Sequence, residues 1–128
     1  MAIGDPRDIL VIDDSDIARA RMVRVLTEAG FRVLDLPSPI GATRGVVRHG
    51  VRLVVVDVHM PAMSGDKLAA LFRDNPRLSE VKVVLVSGVE LDQLGPIAAD
   101  VEADAVVSKH DGEQALLRAV RRLLGEPA

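Results

Sequence analysis

Leu53-Val54-Val55-Val56-Asp57-Val58-His59-Met60-Pro61-Ala62-Met63-Ser64-Gly65 is the stretch from which the fold can be read. Its first half is a run of leucine and valine with no polar interruption, the pattern of a strand buried on both faces in a parallel sheet. The run ends in a carboxylate at Asp57, then in a Met60-Pro61 turn and Gly65, after which helical spacing begins. Asp57 therefore stands where a buried strand emerges into solvent. In open α/β sheets, ligands collect at the carboxyl ends of strands, so an acid there is a candidate for chemistry and not only for capping a turn.

Upstream, Asp8 to Asp14 (DILVIDD) repeats the pattern and ends in two adjacent acids. Ser15 or Asp14 is suited to cap the helix that follows, in which Ala18, Met22, Val25, Leu26 and Ala29 recur on one stripe, Ile17 and Val23 fall off it, and Gly30 ends it. Phe31 to Leu36 is more polar, as an edge strand would be. Ser38-Pro39 is expected to open a short helix running to about His49, with Pro39 in the first helical position and Gly41 and Gly45 weakening it.

Downstream of Gly65, Leu68, Leu71 and Phe72 predict a helix that Asn75-Pro76 ends. Val81 to Val86 is another apolar strand, delivering Ser87-Gly88 to its end. Glu90 to Val101 is irregular, with Gly95-Pro96 predicting a short or broken helix. Asp104 to Ser108 is the last strand and ends at Lys109. Asp111 with Gln114 has the spacing of a capping box for a final helix carrying Leu116, Leu117, Val120 and Leu124 inward and Arg118, Arg121 and Arg122 outward.

Strand and helix alternate five times, which predicts an α/β fold with a doubly wound five-stranded parallel sheet. In the order 2-1-3-4-5, strands one and three are neighbours and a crevice opens at their carboxyl ends. That geometry gathers Asp13, Asp14, Asp57, Ser87 and Lys109. Three carboxylates in one crevice repel each other, and a hard divalent cation with oxygen ligands, Mg²⁺ before zinc, relieves them. The lysine and serine suit a phosphoryl group, and a carboxylate can be the nucleophile that accepts it. Asp57, on the middle strand, is the best placed for that role.

The rest of the composition narrows the classes. The chain has 128 residues, a net charge of -3 and a pI near 5.6, so no pull toward nucleic acid or an anionic membrane is expected. Cysteine is absent, which removes thiol nucleophiles, thiolate metal sites and disulfides. Aromatic residues are limited to Phe31 and Phe72, too few for base stacking. The start has no signal-like apolar segment, so the expectation is a cytoplasmic location with no membrane insertion. A single domain spanning 1–128 is expected, with its core at 8–124 and 125–128 as a tail or the start of a linker.

Taken together, the acid pair Asp13-Asp14, Asp57 with His59-Met60-Pro61 and Gly65, Ser87 and Lys109 resemble the receiver domain of two-component response regulators, over Asp8 to Leu124. The resemblance implies the flavodoxin-like three-layer sandwich of that family. It implies that Asp57 accepts a phosphoryl group from a histidine kinase or phosphotransfer protein. It further implies that Asp13, Asp14, Asp57 and the backbone carbonyl of His59 hold Mg²⁺, while Ser87 and Lys109 engage the phosphoryl group. The domain would be a signalling switch and not an enzyme beyond self-catalysed phosphotransfer and autodephosphorylation. Its partners would include a downstream protein target or output domain, and a homodimer is compatible with this.

Three positions depart from the family. Val106 replaces the strand-five aromatic that usually works as a rotameric switch. His110 replaces the proline after the lysine, so the Lys109-His110 bond is expected to be trans. Gly88 stands where a small residue, often alanine, is usual. His59, two residues after the acceptor, is expected to modulate loss of the phosphoryl group, whereas His49 and His110 read as structural or surface residues. These departures keep a second reading open, a docking module only weakly dependent on phosphorylation. A haloacid-dehalogenase-type phosphatase is the rival from another class, because Asp14-Ser15-Asp16 follows an apolar strand; against it, Asp104 begins the last strand where that family has further acids after a strand. A flavodoxin-like carrier fits less well, since an acidic first loop would repel its phosphate.

Overall fold

Five short strands form one parallel sheet in the order β2-β1-β3-β4-β5 in a computed structural model that describes residues 4–60, 63, 65–88 and 103–127. The strands are β1 (Ile9–Ile12), β2 (Val33–Leu36), β3 (Leu53–Asp57), β4 (Lys82–Ser87) and β5 (Ala105–Ser108). Described helices are α1 (Asp16–Glu28), α2 (Ala42–His49), α3 (Gly65–Asp74) and α4 (Glu113–Leu124), with a 3-10 turn at Lys109–Asp111. The expected doubly wound sheet and its strand order are both present. The predicted helix around Gly95-Pro96, together with Pro61, lies outside the described residues.

The period-two geometry of a strand splits the apolar runs between two cores. Leu10, Ile12, Val54, Val56, Val83 and Leu85 face one way and pack with Val46, Leu68 and Phe72 of α2 and α3. Ile9, Val11, Leu53, Val55, Val84 and Val86 face the other way and pack with Met22 and Leu26 of α1 and Leu116 and Val120 of α4. Each of these side chains contributes about 1.5–3 kcal/mol by leaving water, which is why runs without alternation specify central strands. At the edge, β2 is only partly buried.

Register sets the functional rim. Ile12 pairs with Val56 across β1 and β3, Asp57 with Val86 across β3 and β4, and Ser87 with Ser108 across β4 and β5. All five strands are parallel, so their carboxyl ends share one edge of the sheet.

The local expectations fared unevenly. Ser15 is the N-cap of α1, its hydroxyl accepting from Ala18 N at 3.2 Å. At the other end of α1, Gly30 adopts φ +102°, which lets Phe31 N donate back to Leu26 O at 3.1 Å. Pro39 does not begin a helix: α2 starts at Ala42 behind Gly41, whose φ of +88° is a left-handed conformation that breaks helical continuity. Asp111 and Gln114 form no capping box, because Asp111 is used in the 3-10 turn and Gly112 becomes the N-cap of α4 without a side-chain cap. Leu71 is 52% exposed while Phe72 is buried, so the core stripe of α3 runs through Leu68, Ala69 and Phe72. Val23 is partly buried against the α1–α4 core, although it was expected off the stripe.

Candidate functional site

At the end of β1, Asp13 is fully buried while the next residue, Asp14, is exposed. Asp13 N continues the ladder to Leu36 O, and its Oδ1 accepts from Ser15 N at 2.9 Å, an Asx turn that leads directly into α1. Its carbonyl accepts from Arg19 at 2.7 Å, and the same guanidinium engages Asp16 and Asp35. Arg19 thus clamps the main chain at the acid pair. Arg19 lies off the apolar stripe of α1, so helical periodicity gives it no role; its position one turn into a helix that starts from acids is the available signal.

Asp57 ends β3 and is 5% exposed. Its Oδ1 accepts from His59 N at 3.1 Å, so the backbone turning away from the strand also fixes the carboxylate. Its Oδ2 faces Lys109 Nζ at 3.5 Å. Asp13, Asp14 and Asp57 each present an oxygen, and these atoms lie within 4.8 Å of one another. Lys109 Nζ stands 2.9 Å from Asp13 Oδ2. Apart from that ionic contact, Asp13 Oδ2 is a buried oxygen with no hydrogen-bond donor. Hard oxygens packed this closely, one of them met only by the Lys109 ammonium, are a donor set suited to a divalent cation.

The electrostatics follow from this burial. Removal from water raises the Asp57 pKa above its ordinary value; the His59 N–H and the Lys109 ammonium pull it back, and Asp13 adds to the rise. For Lys109, burial pulls downward, but the hydrogen bond to Asp13 and the charges of Asp57 and Asp13 outweigh it, and its pKa is raised. The lysine is firmly cationic there.

Ser87 is fully buried at the end of β4, one residue beyond the partner of Asp57. Gly88 is exposed, and a methyl group added to it would meet no atom of the described residues within 4 Å. Val106 pairs with Leu85 and packs, partly buried, against the α2–α3 core. The side chain of His59 is exposed. The Lys109-His110 bond is trans, since the described residues hold no cis peptide.

His110, read from the sequence as a structural or surface residue, is exposed and makes a specific contact. Its Nε2 lies within hydrogen-bond distance of the Gly88 carbonyl, and its own N–H donates to Ser108 Oγ at 3.1 Å. No periodicity or motif marks such a contact between separated loops.

A sequence model of the response regulator receiver domain matches residues 9–121. A gliding motility regulatory protein of Myxococcus xanthus is 28% identical over 90% of this chain and 15% of its own length. The two-component response regulator ORR6 of Oryza sativa is 30% identical over 62% of this chain and 48% of its own length. The chain spans less than half the length of these relatives. Among solved structures, a putative response regulator from Chloroflexus aurantiacus superimposes with a TM-score of 0.86 at 20% identity, covering 95% of this chain and 100% of the other. The chemotaxis protein CheY4 of Vibrio cholerae gives 0.83 at 20% identity, covering 93% and 99%. At those identities the structural likeness speaks for the fold.

Proposed function

Because this chain belongs to the response regulator receiver domain family, whose members signal through phosphorylation of an aspartate, we propose that it is a Mg²⁺-dependent switch phosphorylated on Asp57. The donor would be a histidine kinase or phosphotransfer protein. What supports the reading above all is the meeting of Asp13, Asp14 and Asp57 oxygens within 4.8 Å, with Lys109 closing the same pocket.

The chemistry assigns each residue a task. An Asp57 carboxylate oxygen attacks phosphorus as the bond from phosphorus to the donor imidazole nitrogen breaks; that nitrogen keeps the electron pair and takes a proton. The acyl phosphate is later lost when water attacks phosphorus, returning the carboxylate and inorganic phosphate. His59 N–H and Lys109 hold Asp57 in one orientation before transfer. Lys109 and Ser87 then meet the phosphoryl oxygens as charged and neutral donors. Asp13, Asp14, Asp57 and the His59 carbonyl would hold Mg²⁺, which supplies charge neutralisation on the transferring group. Asp13 Oδ2, whose one partner is the Lys109 ammonium, suits that cation.

The role is signalling and not turnover of free phosphate esters, so the phosphatase alternative has no support from the family assignment. Among the described residues no helix is long and apolar enough to cross a membrane, and a cytoplasmic location accompanies this reading. A single receiver unit over 1–128 is part of the proposal, with a downstream target or output domain as its partner. Val106 favours a second reading, a docking module weakly dependent on phosphorylation, since no aromatic ring is available there to carry the state to the surface. Gly88 and His59 are assigned modulating roles, His59 by crowding the entry of water.

Acetyl phosphate with Mg²⁺, followed by intact mass, tests the proposal. One phosphoryl group gained by the native chain and none by Asp57→Asn is expected; no gain by the native chain overturns it.

A further inference from the structure

The turn after β5 points two consecutive side chains at two different elements. Lys109 reaches inward to Asp13 and Asp57, whereas His110 reaches across to the carbonyl of Gly88, the residue that follows Ser87. A carbonyl only accepts, so Nε2 carries a proton in this contact. The turn itself is braced, because Ser108 Oγ accepts from His110 N and Ser108 pairs with Ser87 across β4 and β5. Gly88 has no side chain, and among the described residues no atom lies within 4 Å of its would-be Cβ. On the other flank, the ladder ends where Val58 N donates to Val86 O at 2.9 Å.

We propose that His110 is a positioning residue for the phosphoryl site: by holding the Gly88 carbonyl it sets the main chain directly after Ser87 and ties that hydroxyl to the turn carrying Lys109. This rests on the assignment of Asp57 as phosphoacceptor. The two donors to the phosphoryl group sit at the end of β4 and in the turn after β5, and their separation must be right before transfer for either to contribute fully. Val106 leaves no ring to couple these two places. The imidazole supplies the coupling through a hydrogen bond instead.

The test uses the native chain, His110→Phe, which keeps a ring but loses the donor, and His110→Gln, whose amide nitrogen reaches the same place as Nε2. In the unphosphorylated proteins the Gly88 carbonyl ¹³C resonance should shift in His110→Phe and return toward the native value in His110→Gln. With acetyl phosphate and saturating Mg²⁺, the phosphorylation rate should fall about three- to tenfold in His110→Phe, the scale of one modest hydrogen bond, and recover to within about twofold in His110→Gln. Mg²⁺ affinity, measured by titration without a phosphodonor, should be the same in all three. Equal phosphorylation rates in the three proteins, or a His110→Gln as slow as His110→Phe, would overturn the coupling while leaving Asp57 as acceptor. A native chain that gains no phosphoryl group would instead overturn the parent assignment.

Discussion

The Lys109 ammonium lies closer to Asp13, at 2.9 Å, than to Asp57, at 3.5 Å. In the free protein the lysine therefore neutralises the very carboxylate whose Oδ2 is otherwise unsatisfied. A cation held by these carboxylates, as proposed, would compete with Lys109 for the same negative charge. Lys109→Met should bind Mg²⁺ about tenfold tighter, so that at one Mg²⁺ concentration saturating for both proteins the ion stabilises it by about 1.4 kcal/mol more than the native chain. Thermal unfolding with and without Mg²⁺ measures this, and equal gains would contradict it.

Asp57 gives a pH signature. Its folded pKa lies above the ordinary 3.8, chiefly through burial, so the native state binds this proton more tightly than the unfolded chain does. The associated stability is complete below 3.8 and is lost as pH rises through the folded value. At neutral pH the ionised carboxylate thus weakens the fold. In chelator-containing buffer, Asp57→Asn should be more stable than the native chain at pH 7, by on the order of 1 kcal/mol. The gap should close on acidification to about pH 4. Urea unfolding across that range checks the sign.

Asp8 shows the opposite linkage at the far rim of the sheet. It is buried at the start of the β1 segment and accepts from both Arg32 N and the Arg32 guanidinium at 2.8 Å. The Arg32 side chain is the main cause of its lowered pKa, against which burial works. Its contribution is therefore present above 3.8 and lost as pH falls through the lower folded value. Asp8→Ala should cost about 1–3 kcal/mol at pH 7, with the difference shrinking in acid. Its phosphorylation rate should match the native chain.

Adjacent residues on α3 should respond very differently. Phe72 is 1% exposed and fills the α2–α3 core, so Phe72→Ala should cost about 3–5 kcal/mol. Leu71 is 52% exposed, so Leu71→Lys should stay within about 0.5 kcal/mol. Denaturant midpoints of the two variants decide between the observed stripe and one running through Leu71.

Much of the fold was legible because burial on both faces leaves a plain record. Residues 53–56 and Ile9–Ile12 are apolar throughout, and burial on both faces satisfies such runs. Helix ends were less legible where two local signals competed. Pro39 signals a helix start, yet the left-handed Gly41 two residues later postpones it to Ala42. Asp111 has capping-box spacing, yet the 3-10 turn consumes it first. On α3, Leu68 and Phe72 are buried as their four-residue spacing predicts, but Leu71 is exposed and Ala69 takes its place on the stripe, because a short helix offers few apolar residues to define its axis.

The candidate site divides along the same line. That Asp13, Asp57, Ser87 and Lys109 belong to one rim follows from their positions at the ends of apolar runs, since parallel strands must all deliver their carboxyl ends to one edge. Period and polarity are local properties and are written into consecutive residues. Which carboxylate Lys109 approaches, whether Arg19 grips a carbonyl, and that His110 spans to Gly88 depend on side-chain reach across 6 to 96 residues of chain. Those contacts exist only once the sheet has brought the loops together, because a hydrogen bond needs its partner within about 3 Å and no spacing along the chain encodes that distance.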